Sequence, residues 1–478
     1  MAFSLPALKA DKILFWSLLC VLVWAPIPIG SNVMWAWSIL EIAVFALLIA
    51  WLVLWALGRV PFPTAAAKAW PAYALLALWL AEQALYIVPM PPSWVAMLSP
   101  ESARMQHLTD VLGIARPTMT LSVDPYAARM ALLKGLAYAG VFFLVLVLAN
   151  SRQRVMRLAR VLVYEAVVVS IYGVLMHLAG VQGTYFGAFI DHGLQASATY
   201  VNRNHFAGYL EMTLALGIGL LIAGLSDRKS DSWKRFFMHL LDWVLSPKMV
   251  LRLALCILVI ALTTTHSRMG NTGFFSALLI AGVIGIALSR HATRNTVVLL
   301  ASLVVIDLLI VGSWFGVERL AQRIQETTMG DVESREEPAA YTLGIIKDYP
   351  VFGSGPGSFY VVFPRYQPPS VVGFYDFAHN DYAQFAAESG LPALAVLGLF
   401  VAASLAAALR AQWLRRDPAM RGMSFACIMG VTAILIHSWV DFNLQIPANA
   451  MYFMVLLAIG WLSLYVGRAS TEPARETD

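Results

Sequence analysis

The sequence predicts an all-α polytopic membrane protein of about twelve spanning helices, and three observations carry that prediction. Of 478 residues, 59% are hydrophobic and 13% charged, where an ordinary soluble domain has about 25% charged. The apolar residues come in runs of roughly 20, enough to cross a hydrocarbon core of about 30 Å. The basic residues then sort onto alternate connecting segments, as the positive-inside rule requires. Backbone groups in lipid have to be satisfied within their own segment, so each run is read as a helix.

The predicted spans are 12–29, 32–57, 70–89, 129–149, 157–180, 204–225, 248–265, 271–288, 296–315, 386–410, 421–440 and 448–467. The first follows Lys9 and Lys12 and runs to Ile29 without a small-residue cleavage site, so it reads as a retained helix rather than a signal peptide. Cys20, Cys256 and Cys427 all fall inside apolar runs, a pattern that suggests neither a disulfide nor a metal site. With the N-terminus cytoplasmic, the inner segments hold 22 of the 33 basic residues and the outer segments ten, while Lys134 lies within span four. Both termini are therefore expected in the cytoplasm.

This arrangement divides the chain into spans one to four (1–150), spans five to nine (151–315), a large outer loop (316–385), spans ten to twelve (386–467) and a cytoplasmic tail (468–478). Two other outer segments are long, 90–128 and 181–203. A loop as long as 316–385 rarely lacks structure. Helical spacing marks 316–328 and 338–348, with Gly330 to Glu337 as a charged turn between them. The Gly-Pro stretch from Tyr349 to Phe359 cannot be helical throughout. Its G-x-G-x-G spacing lacks the strand-turn-helix context of a nucleotide loop, so a flexible or tight backbone passage accounts for it.

The outer cations that topology leaves unexplained direct attention to a few motifs. His379-Asn380-Asp381-Tyr382 opens span ten. Helix capping accounts for Asn380 or Asp381 but not for His379, whose side chain suits a general base. Arg268 lies in the tight turn Ser267-Arg268-Met269-Gly270; it is either a snorkelling side chain or a phosphate ligand. Arg335 stands among Glu333, Glu336 and Glu337 and could be a plain surface pair. In Asn202-Arg203-Asn204-His205 one asparagine caps the next helix, leaving Arg203 and His205 to line a polar pocket. His437 and Asp441, four apart, are expected on one helix face, joined by a structural hydrogen bond. Glu41, Glu82, Glu165, Glu211 and Asp307 fall within spans, as a proton relay or as buried partners of polar groups.

Three stretches together resemble the bacterial O-antigen ligase and O-antigen/exopolysaccharide polymerase superfamily. They are the large loop ending in DYPVFGSGPGSFYVVFPRYQ, the following AHNDYAQFAAESGLPALAVLGLF, and HSRMGN, which is similar to the family's Ser-Arg-Gly motif with Met269 inserted. YVNRNHFAGYLEM and HSWVDFNLQIPANA look like the exopolysaccharide-polymerase side of the family. The resemblance covers roughly residues 200–450.

It implies a GT-C-like inverting glycosyltransferase of the bacterial inner membrane, without cofactor or metal, acting in surface-polysaccharide or lipopolysaccharide assembly. The implied donor is a glycan on undecaprenyl diphosphate, and the implied acceptor is another glycan or lipid A–core. By motif, His379 would be the base, and Arg268 and Arg335 the diphosphate ligands. Asn202, Arg203, His205, Arg365, Asn380, Asp381, His437 and Asp441 would support the acceptor pocket. Polymerase is favoured over ligase by the two polymerase-like motifs. Membrane lipids are expected partners and nucleic acid is not. The reading from another class is a polysaccharide transporter or flippase, which predicts paired interrupted spans in two halves; the sequence has no such pair.

Overall fold

A computed structural model describes residues 5–108, 110, 113, 117–193, 195–224, 247–288, 298, 302, 329–369, 371 and 373–467. The first helices are α1 (Leu5–Trp24), α2 (Met34–Ala56), a short α3 (Thr64–Lys68) and α4 (Trp70–Leu85). Two short helices follow, α5 (Pro92–Leu98) and α6 (Pro100–His107), then the long α7 (Pro125–Leu148) and α8 (Arg152–Leu178). A hairpin of β1 (Gln182–Tyr185) and β2 (Ala188–Asp191) precedes α9 (Arg203–Ala223). The chain continues through α10 (Pro247–Thr264), α11 (Arg268–Leu288), α12 (Met329–Asp348), α13 (Phe359–Val362), α14 (Asp381–Leu414), α15 (Pro418–His437) and α16 (Pro447–Tyr465). Eight of these are long and apolar enough to cross a membrane: α2, α7, α8, α9, α11, α14, α15 and α16. Predicted span 296–315, the helix 316–328 and the tail 468–478 lie outside the described residues, apart from Val298 and Ser302.

The centre of the bundle is α9 and α16, each about as enclosed as a helix can be, with α15 against them. Small residues let α9 and α15 approach closely. A Cβ on Gly422 would lie 2.1 Å from the carbonyl of Gly219, and one on Gly219 would lie 2.4 Å from that of Gly422. The outward faces of α2 and α8 carry exposed apolar side chains such as Ile42 and Val168, the pattern of a surface that meets lipid rather than water.

Contacts between chain-distant segments fix the two ends of the bundle. At one end Arg154 pairs with Asp11 at 2.6 Å and Arg152 with Asp417 at 3.2 Å. There too the Arg415 guanidinium donates to the Val466 carbonyl at 2.5 Å. At the other end lie the connections formed by residues 25–33, 86–108, 117–124, 179–193, 195–202, 265–267, 349–369, 373–380 and 438–446, tied by bonds such as Tyr185 hydroxyl to Ile27 carbonyl (3.2 Å) and Thr199 hydroxyl to Pro26 carbonyl (2.7 Å). All six non-glycine residues with positive φ among the described residues, Ile29, Ser31, Phe186, Ala198, His266 and His379, are at this second end.

Three expectations are corrected. Residues Gly330 to Glu337 are not a turn; they continue α12 through Pro338. Glu and Arg are good helix formers, which favours the continuation. Segment 181–203 contains strands, because Phe186-Gly187 forms a two-residue turn between Tyr185 and Ala188. The helix that carries span ten is not continuous: it begins at Asp381 and is interrupted at Gly390 (φ 80°, ψ 167°), with Pro392 just beyond.

The interruption of α14 explains the Gly-Pro stretch. A run of turns from 350 to 357, with Gly353, Gly355 and Gly357 all at positive φ, lies along the break. The amides of Ser354 and Gly355 donate to the carbonyls of Ala387 and Glu388 at 2.9 Å each, and Leu391 donates to Pro350 at 3.0 Å. The Glu388 carboxylate accepts from the Phe359 amide at 3.1 Å. Groups freed by the broken helix are thus satisfied by protein, as lipid-depth backbone requires. A Cβ on Gly390 would lie 2.0 Å from the Val351 carbonyl oxygen, so glycine is required there.

Candidate active site

Three elements converge on the turn 438–446: the first turn of α9, the first turn of α14, and the end of α15. Asn202 caps α9 by accepting from the Asn204 amide at 2.8 Å. Asn380 caps α14 by accepting from Ala383 at 3.0 Å, and its amide group donates to the Trp439 carbonyl at 2.8 Å. Asp381 is buried and organises the turn. Its carboxylate accepts from the Ser438 hydroxyl (2.8 Å), the Leu444 amide (3.1 Å) and Gln445 (3.4 Å), while its own amide donates to Ser438 at 2.9 Å.

His379 immediately precedes this cap, half-buried, in the left-handed region at φ 52°. Non-glycine residues hold that conformation only where neighbours enforce it. Here both flanks are fixed: the Ala378 amide donates to Gln384 at 2.7 Å, and Asp381 is bonded as above. The imidazole stands edge-on to Phe442, with ring centres 4.9 Å apart. Phe442 also meets His205 at 4.6 Å and stacks on Phe377 at 4.5 Å. Phe442 carried no signal in the sequence, since an aromatic residue at a helix end is ordinary at a membrane interface.

Beneath the turn lies a buried polar layer. His205 pairs with Asp441 at 3.4 Å, and the Asn204 amide group donates to the same carboxylate at 2.5 Å. Burial opposes ionisation of Asp441, but the hydrogen bond and charge of His205, the charge of His437 and the Phe442 amide outweigh it. The carboxyl is held below the usual range. His437 does not bond to Asp441. α15 ends at His437, Asp441 lies beyond the helix, and the imidazole instead pairs with Glu211 at 2.8 Å. The expectation of a shared helix face fails because the chain turns between them. Glu211 is thus the buried partner of a polar group, one of the two roles open to it from sequence.

The arginines are distributed differently. Arg268 is the first residue of α11 and is exposed; among the described residues no hydrogen bond or ion pair to it is found. Its turn is held against α9: a Cβ on Gly270 would lie 2.5 Å from that of Ala207, two residues past His205. The backbone of Arg335 lies in α12. Arg203 donates to Gln195 at 2.8 Å. Arg365 pairs with Glu101 at 2.9 Å, joining 349–366 to α6. Arg203 and Arg365 are thus each engaged in a bond between surface segments. Histidine, cysteine and acidic side chains form no metal-holding group among the described residues.

The segment from α10 into α14 therefore carries Arg268 and Arg365, both exposed, and His379, held at positive φ, together with the backbone of Arg335. Residues 253–398 match the O-antigen ligase family. The match supports the O-antigen ligase/polymerase superfamily for the chain, as the motifs suggested. No curated protein matches it. The match suggests a glycosyl-transfer enzyme in general, and the eight apolar helices suggest a multi-pass membrane protein. His205, His437 and Asp441 lie outside the matched residues and reach them only through the fold.

Proposed function

We propose that the chain is an inverting, metal-independent polysaccharide polymerase with about twelve spans. It would transfer a glycan from undecaprenyl diphosphate to an acceptor sugar hydroxyl on the periplasmic face of the inner membrane. The observation that carries the proposal is His379, held in a strained backbone conformation by bonds on both flanks, at the end of the bundle where Arg268 is exposed. The acceptor oxygen attacks the anomeric carbon as its proton passes to His379, a contribution of about 10²–10⁴-fold. The bond from that carbon to the diphosphate breaks, and the charge left on the diphosphate is stabilised by Arg268 and Arg335. A diphosphate is a good leaving group, so cation stabilisation is needed more than a strong acid. In this reading the large loop 316–385 is periplasmic and both termini are cytoplasmic.

The test is incubation of purified protein with lipid-linked repeat units, with and without lipid A–core. A ladder on the carrier lipid is the expected result. A shift of lipid A–core alone makes the protein a ligase, the reading retained from the family match. No product with either acceptor leaves the transporter class. His379→Ala is expected to abolish transfer at normal protein level; retained transfer overturns the mechanism.

A further inference from the structure

The hairpin β1–β2 lies outside the site, and no step of the proposed reaction uses it. Its residues 183–190, Gly-Thr-Tyr-Phe-Gly-Ala-Phe-Ile, carry no charge. The register pairs Thr184 with Phe189 and Gly183 with Ile190, so the two faces differ. Ile190 is buried against the bundle, and the Tyr185 hydroxyl bonds to Ile27. On the other face Phe189 is 63% exposed, and at the tip Phe186 is 50% exposed.

The turn itself is unusual. Phe186 (φ 47°) and Gly187 (φ 92°) both have positive φ. Asparagine or glycine takes the first position of such a turn without strain, and a bulky aromatic does not. A strained Phe186 that leaves half its surface uncovered is explained by something the ring meets outside the chain.

The neighbours say what that is. Phe186 is 5.6 Å from Trp35, which meets Trp24 at 6.3 Å; Tyr185 meets Tyr172 at 6.0 Å. Aromatic rings in such a band sit at the level of lipid headgroups. The band also continues the lipid-facing stripes of two spanning helices. Met34 is exposed at the start of α2, and Leu175 and Leu178 at the end of α8. We infer that the hairpin is an interfacial anchor, with Phe186 and Phe189 inserted at the headgroup boundary of the leaflet at the His379 end. The hairpin is followed by 195–202, where the Ala196 amide donates to the Thr264 carbonyl at 3.0 Å. The anchor therefore holds the turn before Arg268 at the depth of lipid phosphates.

The test uses full-length protein in liposomes, carrying Cys20→Ala, Cys256→Ala and Cys427→Ala. A nitroxide is placed by Phe189→Cys, Leu175→Cys as a lipid-facing reference, or Arg104→Cys as a water-facing one. The label at 189 is expected to follow Leu175, with an oxygen-to-nickel-chelate accessibility ratio several-fold above that at 104. A label at 189 that the nickel chelate reaches as readily as at 104 overturns the inference. So does chelate access that added glycan blocks, which would make the patch a sugar platform. A second measurement needs no substitution: photoactivatable phospholipid crosslinked to the unaltered chain. Adducts within 183–190 support the anchor; their absence, with adducts present on α2 and α8, overturns it.

Discussion

Asp441 shows how one carboxylate sets the stability of the candidate site. Its folded ionisation lies below the ordinary carboxylate range because His205, His437 and the Phe442 amide outweigh burial. Its stabilising contribution is therefore complete above the unfolded value of roughly 3.9 and is lost as pH falls through the lower folded value. Asp441→Asn leaves His205 without its anionic partner. It is expected to destabilise by about 3–5 kcal/mol at pH 7, as for a broken buried pair. The difference from the unaltered protein should shrink in acid, as read by unfolding in detergent at pH 7 and pH 3. Arg365 is the contrasting case. Its pair with Glu101 is exposed, so Arg365→Ala should cost within about 1 kcal/mol; a larger loss of transfer than of stability would assign it to the acceptor. The sequence made His379, Asn380 and Asp381 legible, because a capping motif next to a histidine is a local pattern. It could not separate Asp441 from His437, because their partners, Asn204, His205 and Glu211, come from another helix.

Among the elements, the break in α14 and the crossing of α9 beneath the turn are the joints that hold the site. Gly208 of α9 faces the Asn443 side chain, and a Cβ there would lie 2.2 Å from its oxygen. Gly to Ala in a helix normally gains up to about 1 kcal/mol. Gly208→Ala is expected to do the reverse, lowering the melting temperature in detergent and displacing the turn that carries Phe442. Gly390→Ala meets both a positive φ and a backbone carbonyl. It should be worse than Gly398→Ala, which meets open space; thermal melts of the two variants provide the comparison. The glycines at 353, 355 and 357 read from sequence as a flexible or tight passage, and the close approach of neighbouring atoms makes it the tight one. The partner of that passage was not legible, since the carbonyls it satisfies become available only when α14 breaks more than 30 residues later.

For the whole molecule, hydrophobic run length and the alternation of basic residues made the membrane bundle legible, because both follow from the solvent rather than from tertiary contacts. What escaped the sequence was extramembrane structure: the hairpin, the continuation of α12 through 330–337, and the clamp between 101 and 365. These depend on pairings with distant residues. The proposed sidedness is checked by Arg104→Cys, which should react with a membrane-impermeant maleimide in intact cells stripped of their outer membrane. Labelling only after lysis would reverse the orientation. The two ends of the bundle also differ in how their backbones are held. At the end tied by Arg152 and Arg415, the described residues with positive φ are the glycines 58 and 467; at the other, six side-chain-bearing residues are held there, each at a cost of order 1–3 kcal/mol. One pole of the protein is thus relaxed and the other is under tension, so mild denaturant should release the tense pole first. Transferase activity is expected to disappear at a concentration that leaves the helical circular dichroism intact. Such a protein would be inactivated while still looking folded.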